Sequence, residues 1–396
     1  MPPAGAGARK ARSLRALLTP RRLLTLVAFL LLLAPPFYLA PFWLQTGLFA
    51  MAAVVASLGL NLLVGTAGQL SLGHAFFMAV GAYGYAWLAD DTHQVGMQRL
   101  VGGSLPTLLA FPAAVLLAGA AGALFSPLSG RLRGMYLGVA TLALVFIGHH
   151  VMLNAETFTG GYNGRPVPPM EIFGLSLSDA DDGLSVLGVP FGALERLWFF
   201  GLAVVVVACL AARNLLHGRP GRALGGLRDS EVAAAVMGVP ATRSRAAVFT
   251  VSSMYAGAAG ALLALAFQRV VPDYFGLLLS MDLLAMIVIG GLGSVSGAVL
   301  GAVFVSMLPQ LLSYYAGALP LVVAAGSTDS GVAAGDAARY LYGAALVAVL
   351  IFAPGGLAGL TARLRRRRQT RPAQTTPSST SAGGPAGGST LKEHTP

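Results

Sequence analysis

The sequence predicts an all-α protein that crosses a membrane many times, and two observations lead to this fold class. Hydrophobic residues make up 56% of the 396 residues and charged residues only 10%, whereas a soluble domain carries about 25% charge. Apolar runs of about 20 residues, the length that crosses a bilayer as a helix, recur along nearly the whole chain. Helices are the expected spanning form because they pair every backbone polar group internally.

Ten spans account for the apolar runs. A basic segment, residues 1–22, precedes the first span, which has the shape of an uncleaved signal-anchor because further apolar segments follow at once. The membrane domain is residues 23–360, and the tail 361–396 is basic at first and then rich in Ser, Thr, Pro and Gly, a composition typical of disorder. The predicted spans are residues 23–40, 45–65, 71–89, 105–125, 135–153, 197–215, 245–268, 275–290, 296–315 and 338–354.

The basic residues predict the orientation of these spans. With the N-terminus inside, 21 of the 26 Lys and Arg residues lie in the cytoplasm, as expected when Lys and Arg are held back from translocation. Both termini are then cytoplasmic, the longest outer loop is 154–196 and the longest inner loop is 216–244. The net charge of +11 is therefore a signal of topology and does not indicate a nucleic-acid partner. The basic run at residues 365–368 is a candidate contact with anionic membrane lipid, and a stop-transfer signal followed by a solvated tail is the alternative. The single cysteine, Cys209, excludes an intrachain disulfide and gives no metal-ligand spacing.

Two glycine-rich stretches share one spacing. Gly65-x-x-Gly68-x-x-Ser71 has the same offsets as Gly290-x-x-Gly293-x-x-Ser296, which indicates an internal repeat. Glycine-interrupted spans in corresponding halves of a transporter point to its translocation pathway, although two ordinary turns between helices would have the same composition. The candidates for the translocation pathway or a helix break are Gly65, Gly68, Ser71, Gly73, His74, Asp282, Gly290, Gly291, Gly293 and Ser296.

Two ionisable residues stand out among these candidates. His74 begins the third span, where a hydrogen-bonded structural histidine is the commoner alternative to a ligand or a proton relay. Asp282 is the one carboxylate well inside an apolar segment, where a charge costs about 2.5–3.5 kcal/mol on insertion scales. It lines the pathway or makes a hydrogen bond between helices, and the sequence leaves both alternatives open. No group of His, Cys or carboxylates has metal-ligand or catalytic spacing.

The inner loop 216–244 contains a predicted short helix. Asp229 or Ser230 can cap its N-terminus, and Glu231 suits the positive end of its dipole. Gly238 supplies a stop at the other end. A small apolar ridge at helical spacing suits a groove on a partner protein, although an ordinary amphipathic connector is the alternative. The ridge consists of Val232, Ala235 and Val236, with Met237 alongside.

Five stretches along the membrane region form a combination that is specific to one protein family. They are Asn61–Tyr83 (NLLVGTAGQLSLGHAFFMAVGAY), Arg131–Asn163 (RLRGMYLGVATLAL…TGGYN), Gly221–Ala261, Ser280–Ala302 (SMDLLAMIVIGGLGSVSGAVLGA) and Phe352–Leu360 (FAPGGLAGL). In this order the sequence resembles the branched-chain amino-acid ABC transporter permeases of the LivM type. The resemblance implies a helical bundle similar to that of other small-solute importer permeases.

The resemblance also implies partners. They are a LivH-like second permease subunit, two cytoplasmic ABC ATPase subunits that bind the ATP, and an extracytoplasmic solute-binding protein. This chain has no G-x-x-x-x-G-K-[ST] phosphate loop, so we expect a transport subunit with no cofactor of its own. The family's EAA-like motif falls on four residues of the inner loop, and the acid before its glycine turn falls on Asp282. The residues expected to couple the permease to the ATPase are Arg228, Asp229, Glu231, Ala233, Ala234 and Gly238.

The implied activity is uptake of leucine, isoleucine, valine or related amino acids across a bacterial cell membrane. Urea and short amides are alternative cargoes in the same family. An ion-coupled carrier would need several ionisable residues inside the membrane, and only Asp282 is clearly present. The chain departs from the family at Met135 and Phe146, where acidic residues are common, and at Gly355, where Arg is common. Roles tied to those charges cannot be transferred to this chain.

Overall fold

Helices dominate the computed structural model of the protein. It describes residues 32–95, 98–132, 134–172, 175–177, 185–186, 189–190, 192–315, 322–323, 331–352 and 355–359. The predicted N-terminal segment 1–22, the first half of the predicted first span and the predicted tail 361–396 lie outside these residues.

The helices of the described residues follow one another along the chain with short connections. In order they are α1 (Pro35–Tyr38), α2 (Pro41–Asn61), α3 (His74–Ala89), α4 (Thr107–Arg131), α5 (Met135–Asn154), α6 (Glu156–Thr159), α7 (Ala193–His217), α8 (Arg219–Asp229), α9 (Glu231–Val236), α10 (Ala241–Phe267), α11 (Leu277–Gly290), α12 (Val295–Tyr314) and α13 (Ala334–Phe352). A π-helical turn, Leu62–Thr66, extends α2. Two 3-10 turns are at Gly161–Asn163 and Pro272–Phe275.

Short strands form two-stranded pairs in the connections between helices. Within the described part of the chain four pairs are antiparallel: β1 (His93–Val95) with β2 (Gln98–Leu100), β3 (Arg165–Pro166) with β8 (Arg269–Val270), β4 (Glu171–Ile172) with β5 (Leu175–Ser176), and β6 (Ser185–Val186) with β7 (Val189–Pro190). The parallel pair joins β9 (Val322–Val323) to β10 (Val332–Ala333). The β3–β8 pair ties the outer loop predicted at 154–196 to the segment after α10.

The predicted all-α membrane fold is confirmed. Within the described residues, six helices of 20 to 27 residues are long and apolar enough to cross a membrane: α2 with its π-turn, α4, α5, α7, α10 and α12. Each predicted span from 45–65 onward coincides with a helix, and α3, α11 and α13 account for the other three. The α4 helix continues to Arg131, past its predicted end at residue 125.

The α10 helix lies at the centre of the bundle and packs against α2, α3 and α4. Glycines allow these helices to approach closely. A Cβ atom on Gly260 would overlap the carbonyl of Met78, and one on Gly81 would overlap the backbone of Gly257. By contrast, α4, α7 and α12 leave most of their surface outside the bundle, as expected of helices that face lipid.

Two details of the prediction are corrected. The inner loop 216–244 contains a second helix, α8, which the glycines and the proline of its sequence concealed. Pro220 lies in its first turn, where proline is tolerated, and Leu224 and Leu227 are buried beneath it. The third span begins at His74 instead of residue 71, because the backbone of Leu72 is held away from the helix by a hydrogen bond to Thr141 Oγ1 at 2.9 Å.

The connectivity defines two ends of the bundle. The helices α7 and α10 each run its length, in opposite directions along the chain. The connection between them forms one end, which we call the α8–α9 end. The β3–β8 pair, which precedes α7 and follows α10, lies at the other end, which we call the β3–β8 end.

Candidate functional site

The two glycine-rich stretches with matching spacing lie against each other at the α8–α9 end. Gly65, in the π-turn that extends α2, contacts the backbone of Gly293, and a Cβ atom on Gly65 would overlap it. Gly68 and Gly293, which occupy the same position of the repeat, have φ angles of +66° and +78°. Both stretches are therefore breaks between two helices with a left-handed residue at the same place, which only glycine adopts readily.

Asn61 joins the two breaks. Its Nδ2 donates a hydrogen bond to the Ser294 carbonyl at 3.1 Å, and its Oδ1 accepts one from the Gly293 N–H at 2.8 Å. The side chain is buried, so both bonds form away from bulk water. Asn61 is not among the site residues predicted from the sequence, although an amide inside an apolar helix is a signal that could have indicated it.

The second break carries the predicted residues Gly290 and Gly291. Gly290 packs on the backbone of Gly297, at the start of α12, and Gly291 has a φ angle of +111°. Gly291 also lies against Gly355 and Gly356, which belong to the closing motif of the family resemblance. Thus three separate glycine-rich stretches meet at this point of the bundle.

Arg228, near the end of α8, connects the inner segment to the first break. Its Nη1 donates a hydrogen bond to the Gly65 carbonyl. The stem of the same side chain lies beside Gly68, since a Cβ atom there would be 3.4 Å from Arg228 Cγ. A predicted coupling residue thus contacts two predicted helix-break residues directly.

A cavity of about 750 Å³ opens where these elements meet. Polar and cationic groups are prominent in its wall, and several of the side chains are exposed at its mouth. Its lining residues are Gly65, Thr66, Arg213, Leu216, His217, Gly225, Arg228, Asp229, Gly293, Ser294, Val295 and Ser296. The cavity therefore brings together three of the predicted pathway residues, Gly65, Gly293 and Ser296, and two of the predicted coupling residues, Arg228 and Asp229.

The predicted residues Ser71, Gly73 and His74 lie behind the first break, in the packed interior. Ser71 Oγ accepts a hydrogen bond from the Gly73 N–H at 3.3 Å. His74 is 1% exposed, and its Nε2 lies 3.4 Å from Ser252 Oγ on α10. These three do not line the cavity, and their contacts are those of structural residues. Any part in transport stays a prediction.

Asp282 lies on α11, away from the cavity lining. The Tyr342 hydroxyl, on α13, donates a hydrogen bond to Asp282 Oδ1. Of the two alternatives that the sequence left open, the structure contains the hydrogen bond between helices. A role in the pathway stays a prediction.

The short helix α9 has the caps that the sequence predicts. Ser230 caps its N-terminus by accepting a hydrogen bond from the Ala233 N–H at 3.3 Å. At its C-terminus Val239 N–H bonds to the Ala234 carbonyl and Gly238 N–H to the Ala235 carbonyl, both at 3.0 Å, with Gly238 at a φ angle of +80°. This is a Schellman motif, which satisfies the last carbonyls of a helix.

The apolar ridge of α9 faces outward. Val232, Val236 and Met237 are 77%, 84% and 72% exposed, whereas Ala234 on the opposite side is fully buried. Glu231 is paired with Arg245 of α10 through two contacts, at 3.1 and 3.3 Å. None of the described residues covers the ridge, while the base of α9 is fixed to the bundle.

Comparison with known proteins identifies the family. The sequence model of the family described as "Branched-chain amino acid transport system / permease component" matches residues 44–351. The chain belongs to this family. The predicted resemblance is thereby confirmed, and the chain is a multi-pass transport permease of the LivM type.

Individual relatives agree with this assignment. The high-affinity branched-chain amino acid transport system permease protein LivM of Escherichia coli (strain K12) is 33% identical over 305 residues, which cover 74% of this chain and 69% of that protein. The LivM protein of Salmonella typhimurium gives the same values. The permease protein LivH of Escherichia coli (strain K12) is 23% identical over 269 residues, or 65% of this chain and 81% of that protein. No solved structure gave a significant match.

Proposed function

We propose that this permease, together with a LivH-like second permease subunit, forms the translocation pathway of an ATP-driven importer of branched-chain amino acids. Two cytoplasmic ATPase subunits bind and hydrolyse the ATP, and an extracytoplasmic solute-binding protein delivers the amino acid. The observation that carries this proposal is the hydrogen bond from Arg228 to the Gly65 carbonyl, because it links the segment expected to meet the ATPase to a helix break beside a cavity.

The ridge of α9 is the proposed contact with the ATPase. A helix of six residues is too short to be stable alone, but its caps and the Glu231–Arg245 pair hold it in place. A fixed, slim helix with exposed apolar side chains suits a groove on a partner. The small side chains of Ala233 and Ala235, which are exposed, leave this part of the helix narrow enough to enter such a groove.

Movement of α9 is proposed to reach the pathway through α8. Only Ser230 separates the two helices, and the α8 side chains Leu224 and Leu227 are buried in the bundle. A shift of α9 would therefore displace Arg228 relative to Gly65. Because Asn61 bonds the first break to the second, both breaks would respond together. This is a physical route for alternating access, in which the two ends of the pathway open in turn.

The proposed location is the cell membrane of a bacterium, with the α8–α9 end and both termini in the cytoplasm. The excess of Lys and Arg on that side supports this orientation. A reporter fused after residue 396 that is active only in the cytoplasm should be active, and the same reporter inserted in the 154–196 loop should be silent. The reverse pattern would overturn the proposed orientation.

Two other functions remain as outcomes of one experiment. The permease is reconstituted in liposomes with its LivH-like partner, the ATPases and the solute-binding protein, and uptake of labelled leucine is measured with and without ATP. We expect uptake that requires ATP and the binding protein and that unlabelled isoleucine and valine inhibit. Inhibition by urea or acetamide instead would indicate the alternative cargo of the family.

A control with the permease alone tests the other class of transporter. Uptake driven by an ion gradient in the absence of the ATPases would overturn the ATP-driven mechanism. We expect none, since the carboxylate of Asp282 is hydrogen-bonded to Tyr342 and a coupling-ion site needs several such groups.

A further inference from the structure

A second cavity lies on the flank of the bundle, well away from the glycine breaks. It is a cleft of about 640 Å³ between α4 and α7, with α10 as its floor. The two walls meet through Phe111 and Phe200, whose rings are 5.0 Å apart. The side chains on the α7 wall are small, which leaves space between the two helices. The lining residues on α7 are Ala203, Val204, Val207, Ala208 and Ala211.

The cleft is lined almost entirely by apolar side chains. None of its lining residues is charged, and the only side-chain polar group among them is the hydroxyl of Tyr255. That hydroxyl donates a hydrogen bond to the Ala208 carbonyl at 2.9 Å, so its proton is already engaged within the bundle. An apolar occupant therefore fits the cleft, and an amino acid does not.

A cationic pocket adjoins the cleft on its α8–α9 side. This pocket, of about 330 Å³, shares Val251 with the cleft and is lined by Arg243 and Ser244. Both residues lie in the first turn of α10, where the helix dipole favours a negative charge. No carboxylate is among the lining residues, and within the described part of the chain no hydrogen bond or ion pair engages the guanidinium of Arg243.

The dimensions match one leaflet of a bilayer. Arg243 and Ala258 mark the ends of the two joined cavities on α10, and helix rise separates them by about 22 Å. Half of a bilayer comprises about 15 Å of hydrocarbon and about 6 Å of headgroup region. A molecule with an anionic head at Arg243 and an apolar chain reaching Ala258 would therefore span one leaflet.

We propose that this groove binds an anionic phospholipid. Its phosphate is held by Arg243 and the N-terminus of α10, and one acyl chain lies between α4 and α7. The site is separate from the cavity at the glycine breaks and does not depend on the proposed transport function. The bound phospholipid would give a role to Arg243, which takes no part in the proposed transport mechanism.

The test uses the purified permease complex in nanodiscs of phosphatidylcholine that contain a spin-labelled phosphatidylglycerol or a spin-labelled phosphatidylcholine. The measured quantity is the fraction of labelled lipid that is motionally restricted. We expect an anionic preference of about fivefold, as one arginine near a lipid surface supplies. Arg243→Gln should remove this preference, and Arg219→Gln should preserve it, because Arg219 lies outside the pocket lining.

A second pair of variants tests the acyl chain. Ala211→Phe fills the cleft and should reduce the restricted anionic lipid, whereas Leu210→Phe, which is not among the lining residues, should leave it unchanged. Equal restriction of the two lipids in the parent protein, or an unchanged preference in Arg243→Gln, would overturn the proposal. So would a loss of pairing with the second permease in Ala211→Phe without any change in restricted lipid, because the groove would then be a subunit interface.

Discussion

Each end of the bundle is held by an arginine, and the two arginines differ in what surrounds them. At the β3–β8 end Arg165 is fully buried and bonds to Asp90 at 2.8 Å and to the Phe158 carbonyl at 2.9 Å. At the α8–α9 end Arg228 is exposed and bonds to the carbonyl of Gly65. Breaking a buried ion pair leaves an uncompensated charge, whereas water can replace the contacts of an exposed guanidinium.

The cavities differ in the same way. The space at the α8–α9 end is about 750 Å³, while a cavity of about 200 Å³ lies beside the β3–β8 end. Among the described residues, the larger cavity therefore lies at the end whose arginine is exposed, and the smaller one lies beside the end whose arginine is buried. A rearrangement of the β3–β8 end would leave a buried charge unpaired, which costs free energy. At the α8–α9 end water can replace the contacts of Arg228, so a rearrangement there costs less free energy.

The largest expected effect comes from the buried pair. Arg165→Met removes the arginine partner of the Asp90 carboxylate, which among the described residues keeps only the Asp91 N–H at 3.0 Å and a contact with His93 at 3.5 Å. We expect this to lower the free energy of unfolding by about 3–5 kcal/mol. Thermal unfolding of the purified protein in detergent measures this change. Arg99→Met, at an exposed arginine of the same end, is the control and should unfold like the parent. Equal melting temperatures for the two variants would contradict the difference between the two ends.

A smaller loss is expected at the contact between the two breaks. Gly65→Ala places a methyl group against the backbone of Gly293, and forcing extra volume into a packed site costs about 1–3 kcal/mol. Thermal unfolding and leucine uptake should both decrease. Gly225→Ala is the matched control, since a Cβ atom there meets nothing within 4 Å. A Gly65→Ala protein with parental uptake and stability would show that the breaks do not need their close contact.

Removing the Asn61 side chain that joins the two breaks should lower the free energy of unfolding by as much as Gly65→Ala does, or by less. Asn61→Leu leaves the Gly293 N–H and the Ser294 carbonyl without their partner, and each unsatisfied buried group costs about 1–3 kcal/mol unless water reaches it. Water in the adjacent cavity should offset part of this. Thr46→Val removes a hydrogen bond confined to α2 and serves as the control. If both variants transport and unfold alike, Asn61 does not join the breaks functionally.

A substitution on the exposed ridge should give the smallest loss of stability. Val236→Asp on α9 changes a side chain that is 84% exposed, so the free energy of unfolding should fall by about 1 kcal/mol at most, from the unfavourable carboxylate at the C-terminal end of the helix. Co-purification of the ATPase should nevertheless fall, because a carboxylate is desolvated in an apolar groove. Ala233→Ser offers a milder change on the same helix. Undiminished co-purification of the ATPase with Val236→Asp would remove the ridge as the docking surface.

Much of this fold could be predicted because its signals are local. Apolar runs indicated the spans, and Ser230 and Gly238 indicated the ends of α9, since caps depend on neighbouring residues. The matching offsets of the two breaks predicted a likeness that the φ angles of Gly68 and Gly293 bear out.

What the sequence could not supply is which residues meet across long separations. Asn61 and Ser294 are 233 positions apart, and Arg228 and Gly65 are 163 apart. No spacing rule connects such pairs. The helix α8 was missed because its glycines and proline lower helix propensity, and burial of Leu224 and Leu227 overrides that preference. The burial of Arg165 could not be predicted, because burial of a charged residue depends on a partner elsewhere in the chain.

Arg228 is proposed to transmit the movement of the ATPase to the glycine breaks, and the ratio of transport to ATP hydrolysis measures this transmission. The amount of leucine imported per ATP hydrolysed is measured in liposomes that contain the complete transporter, with Arg228→Gln and, as the control, Arg219→Gln. We expect the transporter that contains Arg228→Gln to keep its ATPase activity and its dependence on the binding protein, while it imports at least tenfold less leucine per ATP. The transporter that contains Arg219→Gln should match the parent. An unchanged ratio in Arg228→Gln would contradict the account.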